Sequence, residues 1–386
     1  MTERKGELMK FIHTADWHLG KLFYGNYLTE EQEWLLEHQF IPLVDEEKPD
    51  VILLSGDVYD RSVPPAEAVD LFNHVISEIC GRRHIPMVVI SGNHDSAERL
   101  SFASDLLRAQ GLYMCGELLS TTQPVVLSDS WGEVYFVPLP YADPGVIRHL
   151  LQDDSIHTHE EAQRAFSAWQ LQGIPEGKRK VALAHAYVAG GTSSDSERPL
   201  DIGGTEQISA DIFAPYNYTA LGHLHGPQKV GSEVIRYSGS LLKYSFSEAS
   251  QKKGVIVGEI DKEGQVTCRF EPLKARHDVR IISGTFDELM KGEGDGLDDF
   301  IRADLTDEGP VIDAMSRLRS VYPNIMMLTT SRLTRDDSGE RNFSLHNKIS
   351  SLDMVETFMK EFRQREMTAE ERKYMAGIIK DVEVGQ

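Results

Sequence analysis

Short apolar runs that stop abruptly at aspartate, asparagine or histidine recur along the first 225 residues of the chain. Such runs occupy residues 51–54, 87–90, 181–184 and 218–221, and an earlier one lies at residues 11–15. Continuous apolar runs of this length are typical of strands buried on both faces. Helical patterns separate the first three runs, so the order predicts an α/β fold. In such a fold, polar residues gather at the C-terminal ends of the strands, where ligands bind.

The helices between these strands have sequence signals of their own. The run Thr29-Glu30-Glu31-Gln32 predicts a capping box ahead of an amphipathic helix, which Pro42 is expected to kink or shorten. Pro64-Pro65 opens a second helix that continues to about residue 79. Residues 121–138 alternate as strands do, and residues 144–172 are helical. Short alternating strands up to about residue 270 predict a second, more antiparallel sheet.

A change of composition around residues 271–278 predicts a domain boundary. We therefore expect a first domain at residues 1–272, a small α+β domain with a β-α-β-α-β pattern at residues 273–335, and a linker with a helical tail at residues 336–386. The tail has two apolar stripes, one over residues 355–362 and one over residues 374–379 behind a capping box at Thr368. Stripes behind a polar linker favour a surface for a partner protein.

Composition narrows the class of protein. Apolar residues make up 40% of the 386 residues, as in ordinary globular proteins, and no run approaches the ~18 apolar residues of a membrane span. The charged N-terminus and short apolar run do not resemble a signal peptide. Three widely spaced cysteines, Cys80, Cys115 and Cys268, fit reduced thiols better than disulfides. We therefore expect a cytoplasmic protein with no membrane contact.

The net charge of −21 constrains the binding partners. A protein that binds nucleic acid unaided is usually basic, because Lys and Arg displace counterions from phosphates. If the substrate is a polyanion, bound cations and a partner protein must supply the positive field.

Five motifs at the ends of the strands carry the candidate chemistry. They are D-x-H with Asp16 and His18, G-D-x-x-D with Asp57 and Asp60, G-N-H-D with Asn93, His94 and Asp95, a lone His185, and G-H-x-H with His223 and His225. In an extended chain, residues i and i+2 point the same way, so Asp16 and His18 can reach one point. A lone histidine such as His185 is ordinarily structural. His185 is a candidate ligand here only because a buried strand ends on it.

Seven of these groups are good ligands for divalent transition metals. Two ions about 3.5–4 Å apart can activate a water and stabilise both the attacking and the leaving oxygen of a phosphoryl displacement. Asp57 is the natural candidate for a carboxylate shared by both ions. Imidazole mixed with carboxylate and amide oxygen, without thiolate, favours Mn²⁺, Fe or Zn over Mg²⁺.

The order of the motifs resembles the calcineurin-like metallophosphoesterases. The fuller strings HTADWHLGK, SGDVYDRSVPP, SGNHDS and ALGHLHGPQ, with RYSGSLLKYSFSE behind them, are similar to the SbcD nuclease subunits of bacteria. The resemblance covers essentially the whole chain. It implies a four-layer αββα sandwich with a small α+β capping domain and a C-terminal helical tail.

The resemblance also implies a function and partners. The implied function is a two-metal DNA nuclease of repair and recombination, with 3′→5′ exonuclease activity on duplex ends and endonuclease activity on single strands and hairpins. The implied partner is a coiled-coil ATPase of the SbcC type, bound through the tail helices. The implied assembly is a heterotetramer that contains a homodimer of this subunit.

The resemblance implies a role for each matching residue. One ion would be held by Asp16, His18, Asp57 and His225, and the other by Asp57, Asn93, His185 and His223. His94 would be the catalytic histidine that is not a ligand, and Asp60 and Asp95 would orient imidazoles.

Other readings stay open at this point. Lys21, Phe23, Tyr24, Arg61, Arg99 and Lys243 are candidates to contact DNA, and ordinary packing is as good an explanation for each. His13, inside its strand, is expected to be structural. A phosphatase or cyclic-nucleotide phosphodiesterase is the first alternative, although Ser62 and Asp95 depart from the G-D-x-V-D-R-G and G-N-H-E motifs of protein phosphatases. The second alternative is a scaffold that binds metals only to fold.

Overall fold

The computed structural model describes residues 8–119, 122–197 and 206–330, together with Thr368, Glu371, Arg372, Tyr374 and Met375. The chain divides into two compact units, residues 1–329 and 330–386. The strands and helices given below belong to the first unit, and the last strand ends beside the boundary.

The strands fall into two large sheets, one small sheet and two short ribbons. In chain order they are Met9–Thr14 (β1), Leu22–Phe23 (β2), Asn26–Tyr27 (β3), Val51–Ser55 (β4), Met87–Ile90 (β5), Leu112–Cys115 (β6), Val125–Asp129 (β7), Gly132–Leu139 (β8), Arg179–His185 (β9), Tyr187–Val188 (β10), Gln207–Ile208 (β11), Tyr218–Gly222 (β12), Gln228–Lys229 (β13), Ile235–Tyr237 (β14), Gly254–Ile260 (β15), Val266–Pro272 (β16), Val279–Gly284 (β17), Phe300–Leu305 (β18) and Ile325–Thr330 (β19).

The helices lie mainly between the strands of the two large sheets. The α-helices are Thr29–Leu35 (α1), Ile41–Glu47 (α2), Ala66–Ile76 (α3), Ala97–Leu100 (α4), Ser104–Arg108 (α5), Pro144–Leu151 (α6), His159–Leu171 (α7), Phe286–Leu289 (α8) and Ala314–Leu318 (α9). Segments of π-helix cover Leu36–Phe40 and Ser77–Arg82, and single 3₁₀ turns cover Ala210–Phe213 and Phe246–Glu248.

Each large sheet has six strands and a parallel centre. The first has the order β16-β15-β1-β4-β5-β6, in which β1, β4, β5 and β6 are parallel. The second has the order β13-β14-β12-β9-β8-β7, in which β14, β12, β9 and β8 are parallel. The prediction of a more antiparallel second sheet was therefore wrong. Strands β15 and β16 return to the first sheet as its antiparallel edge.

Three hydrophobic layers separate the sheets and helices. The inner layer joins the facing sides of the two sheets and includes Phe11, Leu53, Val88, Phe136 and Leu183. The outer side of the first sheet packs on α1 to α3, and that of the second sheet packs on α6 and α7. Burial of both faces explains why the central strands are continuous apolar runs. The expected αββα sandwich is confirmed.

His13 is structural, as predicted. Its ring lies between the sheets, with Nδ1 3.0 Å from the Tyr218 hydroxyl and Nε2 3.0 Å from the Leu221 carbonyl oxygen. Burial lowers the pKa of this imidazole to about 3, so the ring is neutral at physiological pH.

The first helix begins and continues differently from the prediction. Its N-cap is Leu28 and it has no side-chain cap, so the capping box at Thr29 was wrong. The helix does not end at Pro42, because Phe40 and Ile41 keep helical backbone angles and α2 continues from the π-helical segment Leu36–Phe40. The change from α- to π-helix directly before Pro42 is a local irregularity of the kind that accompanies a proline inside a helix.

The small domain has the predicted β-α-β-α-β order. Its sheet has the order β17-β18-β19, and α8 and α9 cover a separate core that includes Phe286, Ile301 and Leu318. A capping box at Thr285 begins α8. The boundaries drawn at residues 272 and 335 stay predictions.

Most of the predicted tail lies outside the described residues, including the linker and the stripe over residues 355–362. The capping box at Thr368 is present, because its hydroxyl accepts from the Glu371 amide and the Glu371 carboxylate accepts from the Thr368 amide. No helix among the described residues is long and apolar enough to span a bilayer.

Candidate metal centre

Five strand ends from both large sheets meet at one edge of the sandwich. Asp16 follows β1, Asp57 follows β4, and Asn93 follows β5. From the second sheet, His185 ends β9, and His223 with His225 follows β12. Ligand atoms of Asp16, Asp57 and His185 all lie within 4.8 Å of one another, and so do those of His18, Asp57 and His94. The residues singled out from sequence therefore form one cluster.

The backbone of this cluster is strained. Four of its residues have left-handed or otherwise positive φ angles: Asp16 (52°), His18 (45°), Asp57 (47°) and His223 (105°). Non-glycine residues in this region cost of order 1–3 kcal/mol each and concentrate at functional sites. The tight turns aim consecutive polar side chains into one pocket.

Two positions beside the ligands leave no room for a Cβ atom and therefore require glycine. Gly56 has φ +86°, and a Cβ there would lie 2.3 Å from Nδ1 of His185. A Cβ on Gly92 would lie 2.1 Å from Oδ1 of Asp57. These glycines therefore let the two loops approach the ligands closely, in addition to making turns.

One group of ligand atoms surrounds His18. Its Nε2 lies 3.0 Å from Nε2 of His225 and 3.5 Å from Oδ2 of Asp57. Two ring nitrogens that face each other at this distance either share one proton or point at one cation. With the carboxylate oxygen beside them, they make up the mixed imidazole and carboxylate donor set of a metal site.

A second group surrounds Asn93. Its Oδ1 lies 2.9 Å from Nε2 of His185 and 3.3 Å from Nδ1 of His223. Nε2 of His185 also lies 3.5 Å from Oδ2 of Asp57. Asp57 therefore borders both groups, as the sequence predicts for a shared carboxylate.

The residues present fit divalent cations. Oδ2 of Asp16 and Nδ1 of His18 are buried and have no hydrogen-bond partner in the described part of the chain. Burial and the neighbouring Asp57 raise the pKa of the Asp16 carboxyl well above its usual value. The negative charge of this carboxylate therefore lacks a sufficient positive partner in the protein alone. Burial lowers the pKa of His18 and of His223 well below the usual value, so both rings are neutral and able to ligate.

His94 lies at the same centre with a fixed ring orientation. Its Nδ1 donates to the Asp60 carbonyl oxygen at 2.8 Å, and its amide donates to Oδ1 of Asp57 at 2.9 Å. Because Nδ1 donates, Nε2 is the nitrogen left for chemistry. Its ring centroid is 4.7 Å from that of His18.

The two remaining carboxylates of the motifs differ from each other. Oδ1 of Asp60 lies 3.7 Å from Nδ1 of His18 and 2.8 Å from Nζ of Lys21. Asp95 accepts from the backbone amides of Val58, Tyr59 and Gly92 and contacts no imidazole among the described residues. The expectation that Asp95 orients a histidine was therefore wrong, since its carboxylate joins the two loops instead.

His225 is held by hydrogen-bond partners that the sequence did not reveal. Its amide donates to Oε1 of Glu197 at 2.7 Å, and its carbonyl oxygen accepts from Nζ of Lys253 at 2.7 Å. Its Nδ1 lies 2.6 Å from Oγ of Ser196, which in turn donates to Glu248. Three of these four partners, Ser196, Glu248 and Lys253, link to one another.

Glu248 and Lys253 form a buried ion pair, with Oε2 of Glu248 2.5 Å from Nζ of Lys253. Burial alone would raise the pKa of Glu248, but the imidazole of His225, with Nδ1 3.8 Å from Oε1 of Glu248, and the ammonium of Lys253 hold it well below its usual value. Glu248 is part of the SFSE string, and Lys253 directly precedes the apolar strand β15. A lysine directly before an apolar strand is the sequence signal that could have indicated a buried ion pair.

The candidates for DNA contact separate into two sets. Phe23 is buried against Phe246 and Phe300, and Nζ of Lys243 bonds to Asp278 and to carbonyl oxygens, so both are structural. Lys21 pairs with Asp60. In contrast, Tyr24, Arg61 and Arg99 are exposed.

Comparison with known proteins assigns the family. A family model described as calcineurin-like phosphoesterase matches residues 9–227, and one described as type 5 capsule protein repressor C-terminal domain (SbcD_C) matches residues 275–366.

Two solved structures are similar to the chain. The protein TT1561 of Thermus thermophilus has 14% identity and a TM-score of 0.38, over 68% of this chain and 99% of its own. A dimetal phosphatase from Danio rerio has 12% identity and a TM-score of 0.40, over 69% and 96%. The first family match contains every residue of the cluster and more than half of the 386 residues, so the chain belongs to the calcineurin-like phosphoesterase family.

Proposed function

We propose that the chain is the nuclease subunit of an SbcD-type DNA repair and recombination complex and hydrolyses phosphodiester bonds with two divalent cations. The single observation that carries this proposal is the convergence of five strand ends in one cluster around Asp57. The match of residues 275–366 to the SbcD_C model favours a nuclease over other phosphoesterases. The proposed activities are 3′→5′ exonuclease on duplex ends and endonuclease on single strands and hairpins.

The proposed ligands form two sets that share Asp57. The first set is Asp16, His18, Asp57 and His225, and the second is Asp57, Asn93, His185 and His223. Imidazole in both sets favours Mn²⁺, with Fe or Zn as alternatives and Mg²⁺ less suited. When bound, such a cation pair supplies Lewis-acid polarisation of the phosphodiester and acidifies the attacking water.

The proposed role of His94 is to protonate or stabilise the leaving 3′ oxygen. Its Nδ1–H is engaged by the Asp60 carbonyl oxygen, so Nε2 is the atom available to a substrate. The amide of His94 also donates to Asp57, which ties the histidine loop to the shared carboxylate. A loop fixed at both points holds its imidazole in one orientation, as general acid catalysis requires.

The substrate class is tested by hydrolysis with added Mn²⁺. End-labelled duplex DNA, hairpin DNA and a phosphoprotein are incubated with the purified chain. We expect loss of nucleotides from the 3′ ends and opening of the hairpin, with little release of phosphate from the phosphoprotein. Faster hydrolysis of the phosphoprotein would favour the phosphatase alternative and contradict the nuclease.

The role of His94 is tested by replacing it with a residue of similar shape. We expect His94→Asn to lower DNA hydrolysis by about 10²–10⁴-fold, because a positioned proton donor is lost. The melting temperature and the bound metal should not change, since His94 is not a proposed ligand. His149→Asn, at an exposed position, is the control. Unchanged hydrolysis would remove His94 from the mechanism.

The partners are also proposals. A coiled-coil ATPase of the SbcC type would bind the tail helices, and the complex would act on DNA in the bacterial cytoplasm. Arg61 and Arg99 are the best candidates for phosphate contacts, because both are exposed and neither side chain has a hydrogen bond or ion pair within the described ranges.

The proposed homodimer has a candidate surface beside the centre. Phe102 and Leu106 are 81% and 78% exposed, and Val63 and Val69 are also exposed. Phe102 and Val69 line a largely apolar groove of about 590 Å³. Exposed apolar side chains grouped in this way mark a protein interface.

The homodimer is tested by adding charge to this surface. We expect Phe102→Glu with Leu106→Glu to convert a dimer into a monomer in light scattering at micromolar concentration. Ile312→Glu, at another exposed apolar position, is the control. A dimer that survives both charges would exclude this surface.

A further inference from the structure

A chain of polar groups behind His225 links this histidine to a buried ion pair. Nε2 of His225 faces His18 and the cluster, so Nδ1 is the nitrogen that contacts the protein. Nδ1 lies 2.6 Å from Oγ of Ser196, and the Ser196 hydroxyl donates to Oε1 of Glu248. A hydroxyl that gives its proton to a carboxylate can only accept from the imidazole. The chain of bonds therefore requires a proton on Nδ1 and leaves Nε2 as a lone-pair donor.

The carboxylate at the end of this chain is held in a fixed position. Glu248 is fully buried, and its Oε2 accepts from Nζ of Lys253 at 2.5 Å. The same Nζ lies 2.9 Å from Oγ of Ser240, 2.8 Å from Oε1 of Gln251 and 2.7 Å from the carbonyl oxygen of His225 itself, so its three N–H groups are shared among four acceptors. Lys253 therefore fixes both the carboxylate behind the ring and the backbone that carries the ring.

We propose that Ser196, Glu248 and Lys253 form a positioning relay that fixes the tautomer and the orientation of His225. The relay makes Nε2 of His225 available as a ligand at all times, and so raises the affinity of the cation site that contains His18 and His225. The other proposed site has no such relay among the described residues, because His185 is oriented by the Ser55 carbonyl oxygen instead. This inference rests on the proposed metal function and adds residues to it.

The relay has a matched control within the same network. Ser196 and Ser245 both donate to Oε1 of Glu248, but only Ser196 also contacts His225. Ser196→Ala and Ser245→Ala each remove one hydroxyl from the same carboxylate oxygen. A merely structural role for this oxygen predicts equal effects of the two variants, whereas the relay predicts an effect of Ser196→Ala only.

The test is Mn²⁺ titration of metal-free protein by calorimetry, with Co²⁺ absorption as a second readout of ligand geometry. We expect Ser196→Ala to weaken one of two binding events by about 10–100-fold, as loss of an orienting partner typically does. Ser245→Ala should leave both events unchanged, and Ser196→Thr should restore the wild-type affinity. The double variant Glu248→Gln with Lys253→Met, which removes both charges together, should weaken the same event.

The outcomes separate this inference from the proposed function. If Ser196→Ala binds Mn²⁺ as tightly as the wild type while His225→Ala loses one event, the relay is wrong and the metal centre stands. If His225→Ala itself keeps both binding events and hydrolysis, the proposed ligand set fails. Equal losses in Ser196→Ala and Ser245→Ala would also overturn the relay.

Discussion

At the scale of single residues, the centre combines backbone strain with unpaired charge. Asp16, His18 and Asp57 have left-handed backbone, and Oδ2 of Asp16 is buried without a hydrogen-bond partner among the described residues. Each feature costs stability in the metal-free protein. Both the backbone strain and the unpartnered oxygen are explained if these side chains have to lie where a cation binds. Stability and function should therefore oppose each other at these positions.

Asp16 is the clearest place to test that opposition. We expect Asp16→Asn to raise the stability of the metal-free protein by about 1–3 kcal/mol, because an unpaired buried carboxylate beside Asp57 becomes neutral. The amide oxygen can still accept from the His223 amide, as Oδ1 of Asp16 does at 2.9 Å. Urea unfolding in the presence of a chelator measures the change.

The same variant should lose the stabilisation that Mn²⁺ gives to the wild type. A cation that binds only the folded state raises its stability by RT ln(1 + [L]/Kd). Asp105→Asn, at an exposed position, is the control and should behave as the wild type in both conditions. A less stable metal-free Asp16→Asn that still gains stability from Mn²⁺ would contradict this account.

At the scale of elements, the sequence predicted where the central strands lie but not which strands pair with each other. The runs that became β4, β5, β9 and β12 are buried on both faces, and this produces an unambiguous pattern. In contrast, nothing in the periodicity of β15 names its partner, so its return to the first sheet was missed. The antiparallel pairing of Met9 with Ile260 depends on tertiary packing, which a local pattern does not contain.

The part of the site that could be predicted from the sequence is the set of ligands at or directly after strand ends. All seven proposed ligands and His94 lie at the predicted edge, because parallel strands deliver their C-terminal residues there. Ser196 lies in a loop, Glu248 ends a 3₁₀ turn and Lys253 precedes β15, and no spacing in the sequence marks them as partners of His225. Gln32 was assigned to a capping box, whereas its buried amide binds Gly20 and the Trp17 carbonyl oxygen.

A buried ion pair joins β7 to β9 and gives a prediction on pH. Both carboxylate oxygens of Asp129 lie 2.7 Å from the guanidinium of Arg179. Burial would raise the pKa of Asp129, but the hydrogen bonds and charge of Arg179 hold it below its usual value. The lowered pKa means that the pair stabilises the fold above about pH 4, the unfolded value, and that this contribution is lost as the pH falls through the folded value.

We therefore expect Asp129→Asn to cost about 3–5 kcal/mol at neutral pH, since Arg179 is left buried and unpaired. The difference from the wild type should shrink as the pH falls below about 4. Urea unfolding at a series of pH values measures it. Glu133→Gln breaks an exposed pair between β8 and Lys178, which precedes β9, and should change little. A pH-independent cost of Asp129→Asn would mean that packing, and not charge, holds the strands together.

At the scale of the whole molecule, the acidic surface and the proposed substrate are in tension. The chain has 61 acidic and 40 basic residues. Many basic side chains of the described ranges are engaged in ion pairs, such as Lys10, Lys21 and Arg83. DNA affinity depends largely on cations that displace counterions from phosphates. A nuclease of this charge therefore needs help to hold its substrate.

This tension predicts how the isolated chain binds DNA. We expect weak binding of labelled duplex DNA in a chelator, with a shallow dependence on salt between about 50 and 200 mM, because each phosphate contact adds about 0.9 to the slope of log K against log salt. Arg61→Ala with Arg99→Ala should lower even this affinity, whereas Lys48→Ala should not. Addition of the proposed ATPase should tighten binding and steepen the slope, since its cations then contact the phosphates. Tight, salt-resistant binding by the isolated chain would show that an acidic subunit holds DNA without a partner, and the assignment of DNA binding to the ATPase would be wrong.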